Sequence, residues 1–334
     1  MDADEARAER LEAVLTRYGL TKEMLLASVD GPFGRPLLVI ATGSILQGFG
    51  NQRSDIDINV IVDYEVAHLP VPSYKHGAFL DTAYFGASKV QAWVIDIRDC
   101  SLVGRVNRDK WEQRLGNVFS CSRFGYGLIL SARNGWERWF SELHEPWLVA
   151  RVAEWWQIEA VRRRLAGSWL VDTKPLLAAQ RLLESVHAAL ESRAALAGQA
   201  YFGPKWLAEK LRRIGDGNGL EVLKGLMETP TTEHKAQDFV ARCEATLEEL
   251  GVKYASNLTA QLWCNSGMRV RNLAGSTLVS RWNFRGLVLP GKLQTGGGEA
   301  EPFWEGELGK SPPPEVIAFF VEDFAWLSVS ATES

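Results

Sequence analysis

Cysteine and histidine are scarce in this chain, which has four of the first and five of the second among 334 residues. Cys100, Cys121, Cys243 and Cys264 lie far apart, no Cys-x-x-Cys occurs, and the histidines show no zinc-like spacing. A disulfide framework and a structural zinc site are thereby excluded, and buried reduced thiols are expected. No apolar run approaches the roughly 18 residues that suggest a membrane-spanning helix. The start, Met1-Asp2-Ala3-Asp4-Glu5, is acidic and lacks the basic region of a signal peptide, so a cytoplasmic location is expected. A strong basic excess is also missing. With 37 Lys+Arg against 41 Asp+Glu the net charge is -4, which disfavours a general nucleic-acid binder. Internal repeats and low-complexity tracts are not evident.

What is present is an ordinary globular composition, 46% hydrophobic and 23% charged. The length suggests two or three domains. Charge is unevenly spread: Gly104 to Gly215 hold 18 Lys+Arg and 11 Asp+Glu, a surplus of +7, so the rest of the chain carries -11. A basic middle beside an acidic site suits a polyanionic substrate such as a nucleoside triphosphate.

The most informative stretch runs from Ile40 to Val62. Leu37 to Ile40 reads as a buried strand, Gly43 breaks it, and Ser44 is placed to cap a short helix. Ser54-Asp55-Ile56-Asp57-Ile58 then opens a second apolar strand through Val62. Residues two apart on a strand share a face, so Asp55 and Asp57 are expected on one side, about 7 Å apart along the strand. Two carboxylates held so repel each other unless a cation lies between them, and hard oxygen ligands suit Mg2+.

Gly43-Ser44-Ile45-Leu46-Gln47-Gly48, followed by Ser54-Asp55-Ile56-Asp57, resembles the motif of the nucleotidyltransferase superfamily related to DNA polymerase beta, in the form found in its minimal and small-molecule members. The likeness covers about twenty residues. One departure is Gln47, where many relatives carry an arginine that contacts phosphate. The resemblance implies an α+β fold: a small mixed-sheet catalytic core, a following helical bundle and a small β-containing C-terminal segment. Boundaries at 1–103, 104–250 and 251–334 are expected. It implies transfer of a nucleoside monophosphate from a nucleoside triphosphate, with ATP the expected donor, to a hydroxyl or amine, with release of pyrophosphate. Asp55 and Asp57 would hold two Mg2+ ions. Gly43 would let the backbone approach the phosphates, and Ser44, the helix start behind it and Ser54 would serve the nucleotide. The superfamily places a third carboxylate on a strand between hydrophobic neighbours. Lys89 to Arg98 alternates, and Asp96 sits between Ile95 and Ile97, so Asp96 is expected to be that acid, with Asp99 as the fallback. A small-molecule acceptor is favoured. Transfer to tRNA or protein, as in toxin-like members, and a catalytically inactive nucleotide-binding scaffold stand as alternatives.

Elsewhere, helices are expected over Asp4 to Tyr18 and Lys22 to Ser28. A Pro-containing loop is expected over Leu69 to Lys75 and a strand over Phe79 to Phe85. From Gly104 the pattern is helical, with long helices from Pro146, over Thr173 to Leu196, from Gly203 through Ile214, and over His234 to Leu250. Lys205, in the first turn after a Gly-Pro, is within possible reach of phosphate. Arg163, Arg164, Arg212 and Arg213 read as solvated faces. Met268 to Arg271 and Leu278 to Arg285 alternate and read as a hairpin through Gly275. Paired in register, they would gather Arg269, Arg271, Arg281 and Arg285 on one side. Pro290 to Pro314 reads as a loop.

Overall fold

The computed structural model describes the chain except for residues 1–2, 31–32, 51–53, 66–68, 76, 100–110, 134, 144–145, 255–258, 265–267, 282–284, 291–302, 309, 323 and 331–334. The fold is α+β, with a five-stranded mixed sheet and two smaller three-stranded sheets. The residues gather into two compact units. One comprises 1–102, 114–153 and 194–214; the other comprises 103–113, 154–193 and 215–334. No helix among the described residues is long and apolar enough to cross a membrane.

The first unit opens with α1 (Ala3–Arg17) and α2 (Lys22–Val29), the latter capped by Thr21, whose hydroxyl accepts from the Met24 N–H. Then come β1 (Pro36–Thr42), β2 (Ile56–Val62), β3 (Leu69–Lys75), β4 (Ala78–Gly86), α3 (Ala87–Asp99), α4 (Trp111–Gly125), β5 (Leu128–Ala132) and α5 (Trp136–Glu142). The sheet order is β3-β4-β2-β1-β5, with β2 and β4 parallel and the other neighbours antiparallel. Ile56, Ile58, Val60 and Val62 of β2 form one core with Leu80 of β4, Leu11 and Leu15 of α1, and Leu25 and Val29 of α2. Each such side chain, fully buried, is worth about 1.5–3 kcal/mol. This core fixes the register, so Asp57 and Asn59 must emerge on the opposite face.

Three expectations for this unit are corrected. Leu69 to Lys75 is a strand, not a loop. Pro70 and Pro72 are tolerated because β3 is the sheet's edge and prolines two apart leave their missing N–H on the same outer side. Lys89 to Arg98 is helix α3, not a strand. Val90, Trp93, Val94 and Ile97 recur at helical spacing and share one helix face, whereas alternation would divide them between two faces; Val90, Val94 and Ile97 are buried, while Ile95 is 53% exposed. The helical pattern from Gly104 is interrupted by β5, an apolar run opened by Gly127. Gly127 lets β5 close on β1, since a Cβ there would meet the Ala41 carbonyl oxygen at 2.8 Å.

Helices α6 (Pro146–Ser168) and α7 (Pro175–Leu196) follow, then a 3-10 turn at Pro204–Trp206 and α8 (Leu207–Arg213) in the first unit. In the second unit, Gly167 of α6 lies against Leu182 of α7, where a Cβ would come 2.6 Å from the Leu182 Cγ, and the Ser185 hydroxyl donates to the Ala160 carbonyl at 2.6 Å. The Arg162–Arg164 run is not a free basic face. Arg162 pairs with Glu159 at 2.7 Å, Arg163 with Glu184 at 3.3 Å, and Arg164 with Glu244 at 2.6 Å and Glu248 at 2.5 Å.

The second unit continues with α9 (Gly217–Gly225), α10 (Glu233–Glu249), β6 (Thr259–Cys264), β7 (Met268–Leu273), β8 (Ser276–Arg281), β9 (Arg285–Pro290), β10 (Trp304–Glu307), α11 (Pro314–Val321) and β11 (Ala325–Ser330). One sheet has the order β10-β6-β11 and the other is the meander β7-β8-β9. The expected loop from Pro290 to Pro314 thus contains a strand, β10; residues 291–302 lie outside the described residues. The hairpin at Gly275 forms, but the arginines do not share a side. Arg269 pairs with Ser280 and Arg271 with Leu278, whereas position 281 pairs with Met268 and with position 285. Positions 269 and 271 therefore lie on the opposite face from positions 281 and 285, which are register partners of each other, so the four do not gather on one side.

Candidate active site

Asp57 is the second residue of β2, and its register neighbours are Thr42 on β1 and Asp81 on β4. Asp55 immediately precedes the strand. Asp55, Asp57 and Asp81 each offer a carboxylate oxygen, and these oxygens lie within 4.8 Å of one another. The third acid of the group is thus Asp81. Asp96 and Asp99 sit on α3, and their side chains lie outside the described residues. Asp81 lies on a strand between two buried neighbours, Leu80 and Thr82, of which only Leu80 is hydrophobic, whereas Asp96 has an isoleucine on each side. The parallel pairing of β2 with β4 brings it beside Asp57.

One cation enters this group. The Arg123 guanidinium, on α4, donates to the Asp57 carboxylate at 2.5 Å. Nothing in the motif points to Arg123, which is 66 residues away in sequence. Its guanidinium also lies 5.5 Å from the centre of the Phe119 ring. Burial pushes the Asp57 carboxyl above the ordinary aspartate range; Arg123 opposes this, and Asp55 and Asp81 add to it. For Arg123, burial disfavours the charged form, but the charge of Asp57, Tyr201, the hydrogen bond to Asp57 and the charge of Asp81 together outweigh it, and the guanidinium is held above its ordinary value. The Tyr201 hydroxyl, also within reach of Arg123, is pushed up by burial.

Three carboxylates and one guanidinium leave two formal negative charges in a partly buried site. An all-oxygen donor set with that excess fits a hard divalent cation such as Mg2+.

Gly43, just after β1, has φ +92° and is pressed against Asp57. A side chain there would overlap the Asp57 Oδ2 and place its Cβ 2.7 Å from the Asp57 Cγ. The short helix expected after Ser44 is instead a hydrogen-bonded turn, so no helix N-terminus forms there. The Ser44 carbonyl accepts from the N–H groups of Phe49 at 2.9 Å and Gly50 at 2.8 Å. Gly48, at φ +67°, ends the turn before a helix can propagate. Ser44 is buried, and Ser54 directly precedes Asp55. Gln47, in place of the relatives' arginine, is also buried and donates its amide to the Tyr126 carbonyl. Gly48 is instead flanked by the guanidinium of Arg10, whose Cζ would be 3.2 Å from an added Cβ, and by that of Arg213 at 3.3 Å.

Lys205 is exposed, with its ammonium 5.0 Å from the centre of the Trp206 ring, and Trp206 stacks on Phe49 of the turn at 5.3 Å. It is therefore tied to the Gly43–Gly50 turn through two ring contacts. The Asn59 amide donates to the Thr42 hydroxyl at 2.7 Å and ties β2 to β1 beneath Asp57.

No protein-family model matches the chain, and no curated protein matches it. Among solved structures it is similar to a nucleotidyltransferase-like protein from Exiguobacterium sibiricum 255-15, with 14% identity over 72% of this chain and 75% of that one and a TM-score of 0.39.

Proposed function

We propose that the protein is a metal-dependent nucleotidyltransferase that moves a nucleoside monophosphate from a nucleoside triphosphate, ATP being the expected donor, to a hydroxyl or amine of a small acceptor. The observation that carries this reading is the convergence of Asp55, Asp57 and Asp81 beside a glycine that can only be a glycine. An acidic group alone would be weak; an acidic group packed on the Gly-Ser turn of the motif is specific.

Asp55, Asp57 and Asp81 would hold the Mg2+. When bound, the metal supplies neutralisation of phosphate charge and a lowered pKa at the attacking group. Gly43 keeps the backbone low enough for phosphate oxygens to approach, and the Ser44 hydroxyl donates to them. Ser54 and Lys205 are proposed as further nucleotide contacts. Asp81 accepts the proton of the acceptor hydroxyl or amine. The acceptor oxygen or nitrogen forms its bond to the α-phosphorus, the bond from that phosphorus to the bridging oxygen breaks, and its electron pair leaves with pyrophosphate. Positioning and charge supply most of the effect.

One observation favours a second reading, a nucleotide-binding scaffold without turnover. Arg123 already sits on Asp57 as an internal cation. Pyrophosphate release, measured with ATP, Mg2+ and a small-molecule fraction of cell extract, decides between them. Metal-dependent release supports the transferase. Nucleotide binding with no release from any acceptor fraction supports the scaffold.

A further inference from the structure

We infer that the aromatic-walled cavity on the Asp81 side of the acidic group is the acceptor site, and that it takes a small compound with a flat apolar body bearing one hydroxyl or amine. This inference rests on the proposed transferase reading and adds the class of the second substrate.

The cavity is about 420 Å3, within the range of roughly 300–1,000 Å3 common for small-molecule sites. Asp57 and Asp81 stand at it together with the rings of Phe85, Trp93, Phe119 and Phe124. Three of the rings form a continuous wall. Phe85 meets Trp93 edge-on at 5.9 Å and Phe124 edge-on at 5.4 Å. Phe119, which also lines the cavity and meets Phe202 edge-on at 5.7 Å, is 37% exposed. A large ring left partly in water beside a cavity, with a guanidinium 5.5 Å from its centre, is a surface that a flat ligand would cover.

Sheet order separates this cavity from the Gly43–Ser44 turn. The sheet runs β3-β4-β2-β1-β5. Gly43 follows β1 and touches Asp57 from that flank. The cavity is lined from β2, β4 and β3, including Pro70, and from α3 and α4, and among the described residues none of its lining comes from β1. Asp57 and Asp81 therefore lie between a phosphate-binding turn on one flank and an aromatic cavity on the other. A nucleophile held in the cavity would meet the α-phosphorus from the side opposite the leaving pyrophosphate, the arrangement that in-line displacement needs. Asp81 lines the cavity and pairs with Asp57 in register, so it is the acid placed to take the nucleophile's proton. Asn59, Ser120 and Arg123 also line the cavity and can pair some polar groups, but a polyol or amino sugar would leave those turned to the rings unpaired, which disfavours it against a flat apolar body.

The experiment measures binding by ligand-observed NMR in metal-free, nucleotide-free buffer, so that it reads the cavity independently of turnover. The probes are tyramine, 4-aminophenol and 2-naphthol, against glucosamine and inositol. The expected result is binding of at least one of the phenols or the naphthol, at least tenfold tighter than both polyols. Ala83, which lines the cavity between Asp81 and Phe85, provides the filling variant. Ala83→Trp should weaken the bound probe at least tenfold, and Phe119→Ala, which removes a wall rather than adding bulk, at least threefold. Both are checked for native circular dichroism, and Phe119→Ala stands alone if Ala83→Trp does not fold. Equal binding to wild type and folded variants, or no preference over the polyols, overturns the inference. Displacement of the probe by ATP also overturns it, since the cavity would then be the nucleobase site. Metal-dependent pyrophosphate release driven by glucosamine, or by tRNA or protein, but by none of the flat probes would uphold the transferase reading and overturn this one.

Discussion

Gly43→Ala tests the geometry of the site at its tightest point. The substitution adds one methyl group, and the structure shows two separate consequences. The first is backbone strain. At φ +92° a non-glycine residue is disfavoured, and holding it there costs on the order of 1–3 kcal/mol. The second is collision. The new Cβ overlaps the Asp57 Oδ2 and falls 2.7 Å from its Cγ. Asp57 can yield only by disturbing its ion pair, because its carboxylate is held by Arg123 and its backbone lies in a strand buried on both faces. Either Asp57 rotates away from Asp55 and Asp81, or β1 and β2 separate. A displacement of about 1 Å in a reacting constellation can cost on the order of a hundredfold in rate. The expected outcome is a stability loss of about 1–3 kcal/mol by urea denaturation, with turnover reduced a further hundredfold or so in the folded fraction. Gly48→Ala is the internal control. It also has positive φ, at +67°, but its nearest neighbours are the movable ends of Arg10 and Arg213. It should show the strain without the collapse in turnover. If Gly43→Ala keeps wild-type turnover and divalent-metal affinity, the packing of Gly43 on Asp57 has no functional meaning and the argument fails.

Other substitutions test the remaining assignments. Asp81→Asn should abolish metal-dependent pyrophosphate release while Asp96→Asn leaves it near wild type; the reverse pattern would return the third carboxylate to α3. Ser44→Ala should weaken triphosphate binding by about 1.5–3 kcal/mol, the worth of a hydrogen bond to a charged group, and leave metal affinity alone; isothermal titration with ATP reads this directly. In the second unit, burial holds the His187 imidazole below its ordinary range, with Glu184 opposing. The unfolded chain therefore takes up this proton first as pH falls. The stability His187 contributes is full above the unfolded pKa of about 6.5 and is lost as pH falls through the lower folded value. His187→Gln should flatten the decline in urea midpoint between about pH 7.5 and pH 5.5, and an unchanged decline would contradict the assignment.

The parts of the site legible in the sequence are those that one continuous stretch encodes. Gly43, Ser44, Asp55 and Asp57 fall within a few residues of one another, and the core beneath them alternates with period two along Ile56, Ile58, Val60 and Val62. Asp81 was hidden because only one of its neighbours in the chain, Leu80, is apolar, the other being Thr82. Asp96 has an isoleucine on each side, and its segment, Lys89 to Arg98, alternates but also satisfies helical spacing. Only the exposure of Ile95 and the burial of Val90, Val94 and Ile97 separate the two periods. Position in the sheet would have decided for Asp81, since the strand parallel to β2 is the one that can bring an acid into register with Asp57. Arg123 leaves no local signal, because its role arises from α4 crossing the acid-bearing face. The strands β3 and β5 were masked by prolines that an edge tolerates and by glycines that close approach requires.

The most direct measurement is anomalous diffraction from crystals of the protein grown with Mn2+ and a non-hydrolysable ATP analogue. The account predicts a metal peak bonded to carboxylate oxygens of Asp55, Asp57 and Asp81 and to the triphosphate, with Arg123 moved off Asp57 and the Gly43–Ser44 turn against the phosphates. The absence of a peak at the three aspartates, with Arg123 still paired to Asp57 and the analogue bound elsewhere or not at all, would contradict it.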